Sequence, residues 1–137
     1  MTPEYLRAVA FAIWTLLAPL ARFHDAPVIA SAIAAAALGH PESERWAATM
    51  AYYAYRESAV RVDAVGDGGR SCGAWQSPCR IIAGLSVESQ ARAWLSWVDA
   101  SSLGSVDSSP ERARRRQARA AELLVTAKSR GLVAESR

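Results

Sequence analysis

The residues of this sequence with the clearest chemical potential gather around one carboxylic acid. At about 100° per residue on a helix, Met50, Tyr53 and Glu57 fall within about 40° of Trp46. Glu57 therefore continues an apolar stripe at the C-terminal end of its helix. Partial desolvation and the negative end of the helix dipole both disfavour a carboxylate there, and so raise its pKa, as a general acid at neutral pH requires. The structural alternative is a salt bridge with Arg56, Arg61 or Arg70 at the edge of the core. A glycine-rich turn, Gly66-Asp67-Gly68-Gly69, follows, and then Ser71-Cys72-Gly73-Ala74-Trp75-Gln76. Cleavage of a glycosidic bond sets a proton donor against a second polar group across the scissile bond, and a helix end facing a β-hairpin builds such a cleft. Each residue also has a plainer role. Asp67 can be a turn former, Gln76 a helix cap and Trp75 a core residue.

Taken in order, Glu57-Ser58, Gly66-Asp67-Gly68-Gly69 and Gly73-Ala74-Trp75-Gln76 resemble the active-site signature of goose-type lysozymes and soluble lytic transglycosylases. The resemblance spans roughly residues 41–98. It implies a lysozyme-like fold that cleaves the β-1,4 bond between N-acetylmuramic acid and N-acetylglucosamine in peptidoglycan glycan strands. By the same resemblance Glu57 is the catalytic acid, and Asp67 orients water in the hydrolases. Ser71, Gly73, Trp75 and Gln76 fall on substrate-binding positions of the cleft. The usual Leu-Met before the glutamine is Ala74-Trp75 here, and the second aspartate of some goose-type enzymes is replaced by Pro78. With one carboxylate sufficing, the product is either hydrolysed glycan or, by attack of the muramoyl 6-hydroxyl, an anhydro sugar. No metal or organic cofactor is implied. The expected setting is periplasmic, secreted or phage-associated, and the expected form is a monomer. Two alternatives stand beside this reading. One is a catalytically weak or inactive wall-binding or assembly module that retains the cleft. The other is a small basic nucleic-acid-binding helical protein, against which there is no recognition motif.

The elements that must position these residues are legible from their ends. Thr2-Pro3-Glu4, Asp25-Ala26-Pro27, His40-Pro41-Glu42, Ser86 with Glu88, and Ser109-Pro110-Glu111 each open a helix. Gly39 stops the second, the third runs to about Glu57, and the last ends near Gly131. Between the third and fourth, Arg61 to Val65 and Arg70 to Cys72 flank the Gly-Asp turn and read as a small β-hairpin. A short helix is expected after Ser77-Pro78 through Ile81 and Ile82. The fold class is α+β, mainly α: one helical domain over residues 1–137 with a small β-hairpin insertion.

The 137 residues and 51% apolar content suit a single domain with a real core. Leu6, Val9, Ile13, Leu17 and Leu20 recur at helical spacing, so the uncharged run from Ala8 to Ala21 reads as a core helix, with an export signal as the alternative. The net charge is +3, and the excess is local. Arg112, Arg115, Arg116 and Arg119 share one flank of the last helix, beside the side bearing Ala113, Ala120, Leu124 and Ala127. That stripe suits anionic cell-wall polymer; a merely solvated face is the alternative. A zinc site would need four ligands, and His24 and His40 lie far upstream of Cys72 and Cys79. The cysteines either pair, if the protein works outside the cytoplasm, or remain buried thiols.

Overall fold

A computed structural model describes residues 1–98 and 106–134. The fold is α+β and mainly helical, as the sequence predicts. Helix α1 spans Pro3–Leu17. Thr2 caps it, its hydroxyl accepting from the Tyr5 amide at 3.1 Å. It ends at Ala18, which is forced into extended backbone by Pro19. Helices α2 (Ala26–Ala37) and α3 (Ser43–Ser58) follow. A three-stranded antiparallel sheet comes next, with β1 (Val65–Gly66), β2 (Ser71–Cys72) and β3 (Ser77–Pro78) in that order. Then come the one-turn helix α4 (Cys79–Ile82), α5 (Val87–Trp97) and α6 (Pro110–Ser129). Val65 faces Cys72 in the first strand pair, and Ser71 faces Pro78 in the second. The third strand was not legible: Ser77-Pro78 carries no alternation and is only two residues long.

Helix α1 lies at the centre. It packs on α2, α3 and α6, with Leu6, Val9, Ile13 and Trp14 fully buried. The Trp14 indole donates to the Ala51 carbonyl of α3 at 2.9 Å. The core-helix reading of this segment therefore holds through Leu17, whereas Leu20 falls in a separate 3-10 turn and is exposed. Alanine lines most of the buried side of α2, which lets α1, α3 and α5 approach it closely. Helix α6 buries Ala113, Ala120, Leu124 and Ala127. Lys128 meets Glu44 at 2.7 Å, and the Tyr5 hydroxyl donates to the same carboxylate, tying α6, α3 and α1 together. No helix among the described residues is long and apolar enough to cross a membrane.

The β lobe has two fastenings of its own. Cys72 and Cys79 are disulfide-bonded, with Cα atoms 5.0 Å apart, which joins β2 to the start of α4. Cross-linking this short loop restricts the unfolded chain by about 2.5 kcal/mol on the chain-entropy account. The Cys72→Ser/Cys79→Ser double variant should lose about that much unfolding free energy in urea titrations at pH 7. Two free thiols in the oxidised, folded protein would contradict the pairing. The second fastening is Trp75, buried to 4% exposure, whose indole donates to the Met50 carbonyl at 3.0 Å.

Candidate active site

The stripe on α3 forms as its spacing requires. Trp46, Met50 and Tyr53 are buried, and Glu57 emerges at the helix end with its side chain 30% exposed. Its partner is not Arg56, Arg61 or Arg70. Helix α6 brings Arg116 across, only 11% exposed, with Nη1 2.5 Å from Glu57 Oε1. The same guanidinium lies over the Tyr53 ring at 5.0 Å, a cation–π contact. The Tyr53 hydroxyl donates to Asp107 Oδ2 at 2.8 Å. The other Asp107 oxygen accepts from Arg112 Nε and Nη2 at 3.0 and 2.7 Å and from the Ser109 amide at 3.1 Å. Two acids and two arginines thus alternate around one buried phenol.

The electrostatics follow from these contacts. Burial pushes the Asp107 carboxyl up, but the bonds from Arg112, Ser109 and Tyr53 together outweigh it and hold the group below its ordinary 3.8. Burial, and then the bond to Asp107, push the Tyr53 phenol well above its ordinary 10.0, so it stays a donor throughout the neutral range. The hydrogen bond to Asp107 raises the Arg112 guanidinium further.

Past Glu57 the chain turns sharply. The Ser58 hydroxyl donates to the Ala54 carbonyl and accepts from the Arg61 amide, at 2.9 and 3.0 Å. Ala59 and Val60 then adopt φ of 53° and 60°, and the Val62 amide is held by Asp25 Oδ2 at 2.9 Å. Asp67 and Gln76 are also left-handed, at 52° and 50°. Among the described residues, every non-glycine with positive φ lies between Glu57 and the end of the Gln76 loop. Such backbone costs on the order of 1 kcal/mol or more per residue, and clusters of it mark functional segments.

One open cavity of about 860 Å³ lies against this lobe, lined by Asp67, Ser71, Gln76, Arg70, Arg80 and Asp107 among others. The Ser71 hydroxyl donates to Asp67 Oδ2 at 2.6 Å. The Gln76 amide donates to the Ala64 and Gly73 carbonyls at 3.0 and 2.9 Å, bracing the loop rather than capping a helix. Gly73 is buried with φ +83°, and an added Cβ would sit 2.5 Å from Gln90 Oε1. It serves the packing of the lobe on α5. Trp75 belongs to the core, so its side chain does not line the cavity. Glu57 is not a lining residue either; Arg116, Tyr53 and Asp107 connect it to the cavity.

The structure thus brings Asp67, Ser71 and Gln76 together and leaves Glu57 adjoining them through the buried network. The four arginines on the flank of α6 divide in two. Arg112 and Arg116 are partners of Asp107 and Glu57, whereas Arg115 and Arg119 pair with Glu111 and Glu122 of their own helix, at side-chain exposures of 71% and 50%. Asp107 was missed from sequence; its one signal was an acid two residues ahead of the Ser109 cap. No family model, curated protein or solved structure matches the chain.

Proposed function

We propose that this protein cleaves peptidoglycan glycan strands as a muramidase or lytic transglycosylase, with Glu57 as the general acid. The observation that carries this reading is the folded order of the motif. A half-buried carboxyl ends an apolar helical stripe. A strained turn follows, and then an antiparallel lobe whose Asp67, Ser71 and Gln76 share one cavity. In this mechanism the strand occupies the cavity and displaces Arg116 from Glu57. The freed carboxylate takes up a proton from solvent and gives it to the glycosidic oxygen as the bond from that oxygen to the muramoyl C1 breaks. Tyr53 and Asp107 hold the wall on which that exchange takes place. Asp67, exposed and already accepting from Ser71, orients the attacking water if the bond is hydrolysed. If it is not, the muramoyl 6-hydroxyl attacks and the product is an anhydro sugar. The work takes place at the cell wall, in a periplasmic, secreted or phage-borne setting, and exposed Arg115 and Arg119 supply the remaining contact with anionic wall polymer.

The second reading, a wall-binding module without turnover, is favoured by one observation: Glu57 is paired with Arg116 and stands outside the cavity lining. Mass analysis of muropeptides released from purified peptidoglycan separates the two. Reducing muramoyl ends or anhydro-muramoyl ends support the enzyme, whereas retention on the wall with no released product supports the module.

A further inference from the structure

Arg70 and Arg80 both line the cavity and both are exposed, yet neither meets a carboxylate among the described residues. Arg70 Nε donates to the Asp67 main-chain carbonyl at 3.1 Å, which fixes the direction of its stem and leaves the rest of its fork without a partner among the described residues. Arg92, Arg115 and Arg119, by contrast, each reach a glutamate on their own helix. The two cavity arginines are also held close in the fold. The Cys79 amide donates to the Arg70 carbonyl at 2.9 Å, so Arg80 stands one residue beyond the rung that Arg70 occupies. The Cys72–Cys79 disulfide locks that rung. The cavity's own acids are already occupied: Asp107 by Arg112, and Asp67 by the Ser71 hydroxyl.

We infer that Arg70 and Arg80 form a carboxylate-binding subsite, which takes the free carboxylate of a muramoyl strand: that of the peptide branch, or of the lactyl group where no peptide is attached. The inference rests on the glycan-cleavage reading and deepens it by assigning the two residues that would tell an acidic strand from a neutral, chitin-type one. A guanidinium fork matches a carboxylate with two parallel hydrogen bonds, which an ammonium cannot do. The volume of about 860 Å³ lies within the usual range for small-ligand clefts. Two arginines in a concavity are also far fewer cations than a nucleic-acid backbone track needs.

The test is direct binding, followed by calorimetry or NMR titration, of N-acetylmuramoyl dipeptide and of neutral chitotriose to the intact protein. Arg70→Gln/Arg80→Gln should weaken the muramoyl dipeptide about tenfold while leaving chitotriose unchanged, since each exposed charge contact contributes a few-fold. The wild-type affinity for the dipeptide should fall with added salt. Arg80→Gln alone, which breaks no side-chain hydrogen bond among the described residues, should show part of the loss if the double variant folds poorly. Unchanged dipeptide affinity in the variants overturns the subsite, as does equal loss for both ligands or no binding to the wild type. Arginine-dependent binding without any strand cleavage would instead overturn the enzyme reading and keep the subsite.

Discussion

Glu57→Gln will lower the rate of peptidoglycan strand cleavage by about 10²–10⁴-fold while the protein stays folded. The substitution keeps the size of the side chain and an oxygen that can still accept from Arg116, so the contact between α3 and α6 survives in its neutral form. What it removes is the transferable proton, and a positioned general acid typically contributes a factor of that size. The carboxyl groups that line the cavity itself are those of Asp67 and Asp107. Asp107 is held ionised by Arg112, Ser109 and Tyr53, so it cannot take over as donor. Asp67→Asn should be milder, and mildest when the product is an anhydro sugar, because no water then needs activation. The measurements are turbidity clearing of purified walls and mass analysis of the released muropeptides. A folded Glu57→Gln protein that clears walls at nearly the wild-type rate would return Glu57 to a purely structural place beside Arg116.

Asp107→Asn should destabilise the fold by about 2 kcal/mol at pH 7, with a loss that shrinks on acidification. The side chain is 1% exposed and accepts from a guanidinium, a phenol and a backbone amide. Hydrogen bonds to a charged group contribute about 1.5–3 kcal/mol, and the amide's NH₂ cannot accept in place of the second carboxylate oxygen. The folded protein holds this carboxyl below its unfolded value near 3.8. Its contribution is therefore fully present above about pH 4 and is lost as the pH falls through the lower, folded value. Urea unfolding of both proteins between about pH 3 and pH 7 should show the two curves converging toward the acid end. A difference that stays constant across that range would mean that Asp107 contributes by shape and not by charge.

The parts of the structure that the sequence discloses are those governed by neighbours in the chain. The hydroxyl caps Thr2, Ser86 and Ser109 all accept the amide bonds expected of them, because a cap acts within three residues. The α3 stripe is likewise a matter of local helical period. Asp25 shows the limit. It precedes α2 as expected, but its carboxylate turns away to hold the Val62 amide, a partner 37 residues along the chain. The Glu57–Arg116 pair lies beyond the same limit. Its separation of 59 residues is closed only when α6 packs on α3, and no spacing rule connects the two. Asp107 was invisible for a different reason: an isolated acid reads as solvent-facing, and only the arrival of Tyr53 and Arg112 makes its burial tolerable. The candidate cavity was half legible. Asp67, Ser71 and Gln76 were drawn from the motif and meet in space, while Trp75 follows the commoner fate of tryptophan and goes into the core.

That placement of Trp75 has a consequence for how the molecule comes apart. The lobe's strands are two residues each, and they contribute little cohesion of their own. The indole beneath α3, hydrogen-bonded to the Met50 carbonyl, is the large side chain that anchors the lobe to the helical body, beside the close seat of Gly73 on α5, and the disulfide staples the lobe to its neighbour α4. The helices around α1 share a broad apolar core and rest on many such side chains. On warming, the ring's departure would release the lobe as a unit while the helical body remained assembled. The cavity and the helical content would then be lost at different temperatures, the former first. The protein would lose its cavity in a state that circular dichroism still reads as folded, and it would regain it on cooling as the tryptophan re-seats.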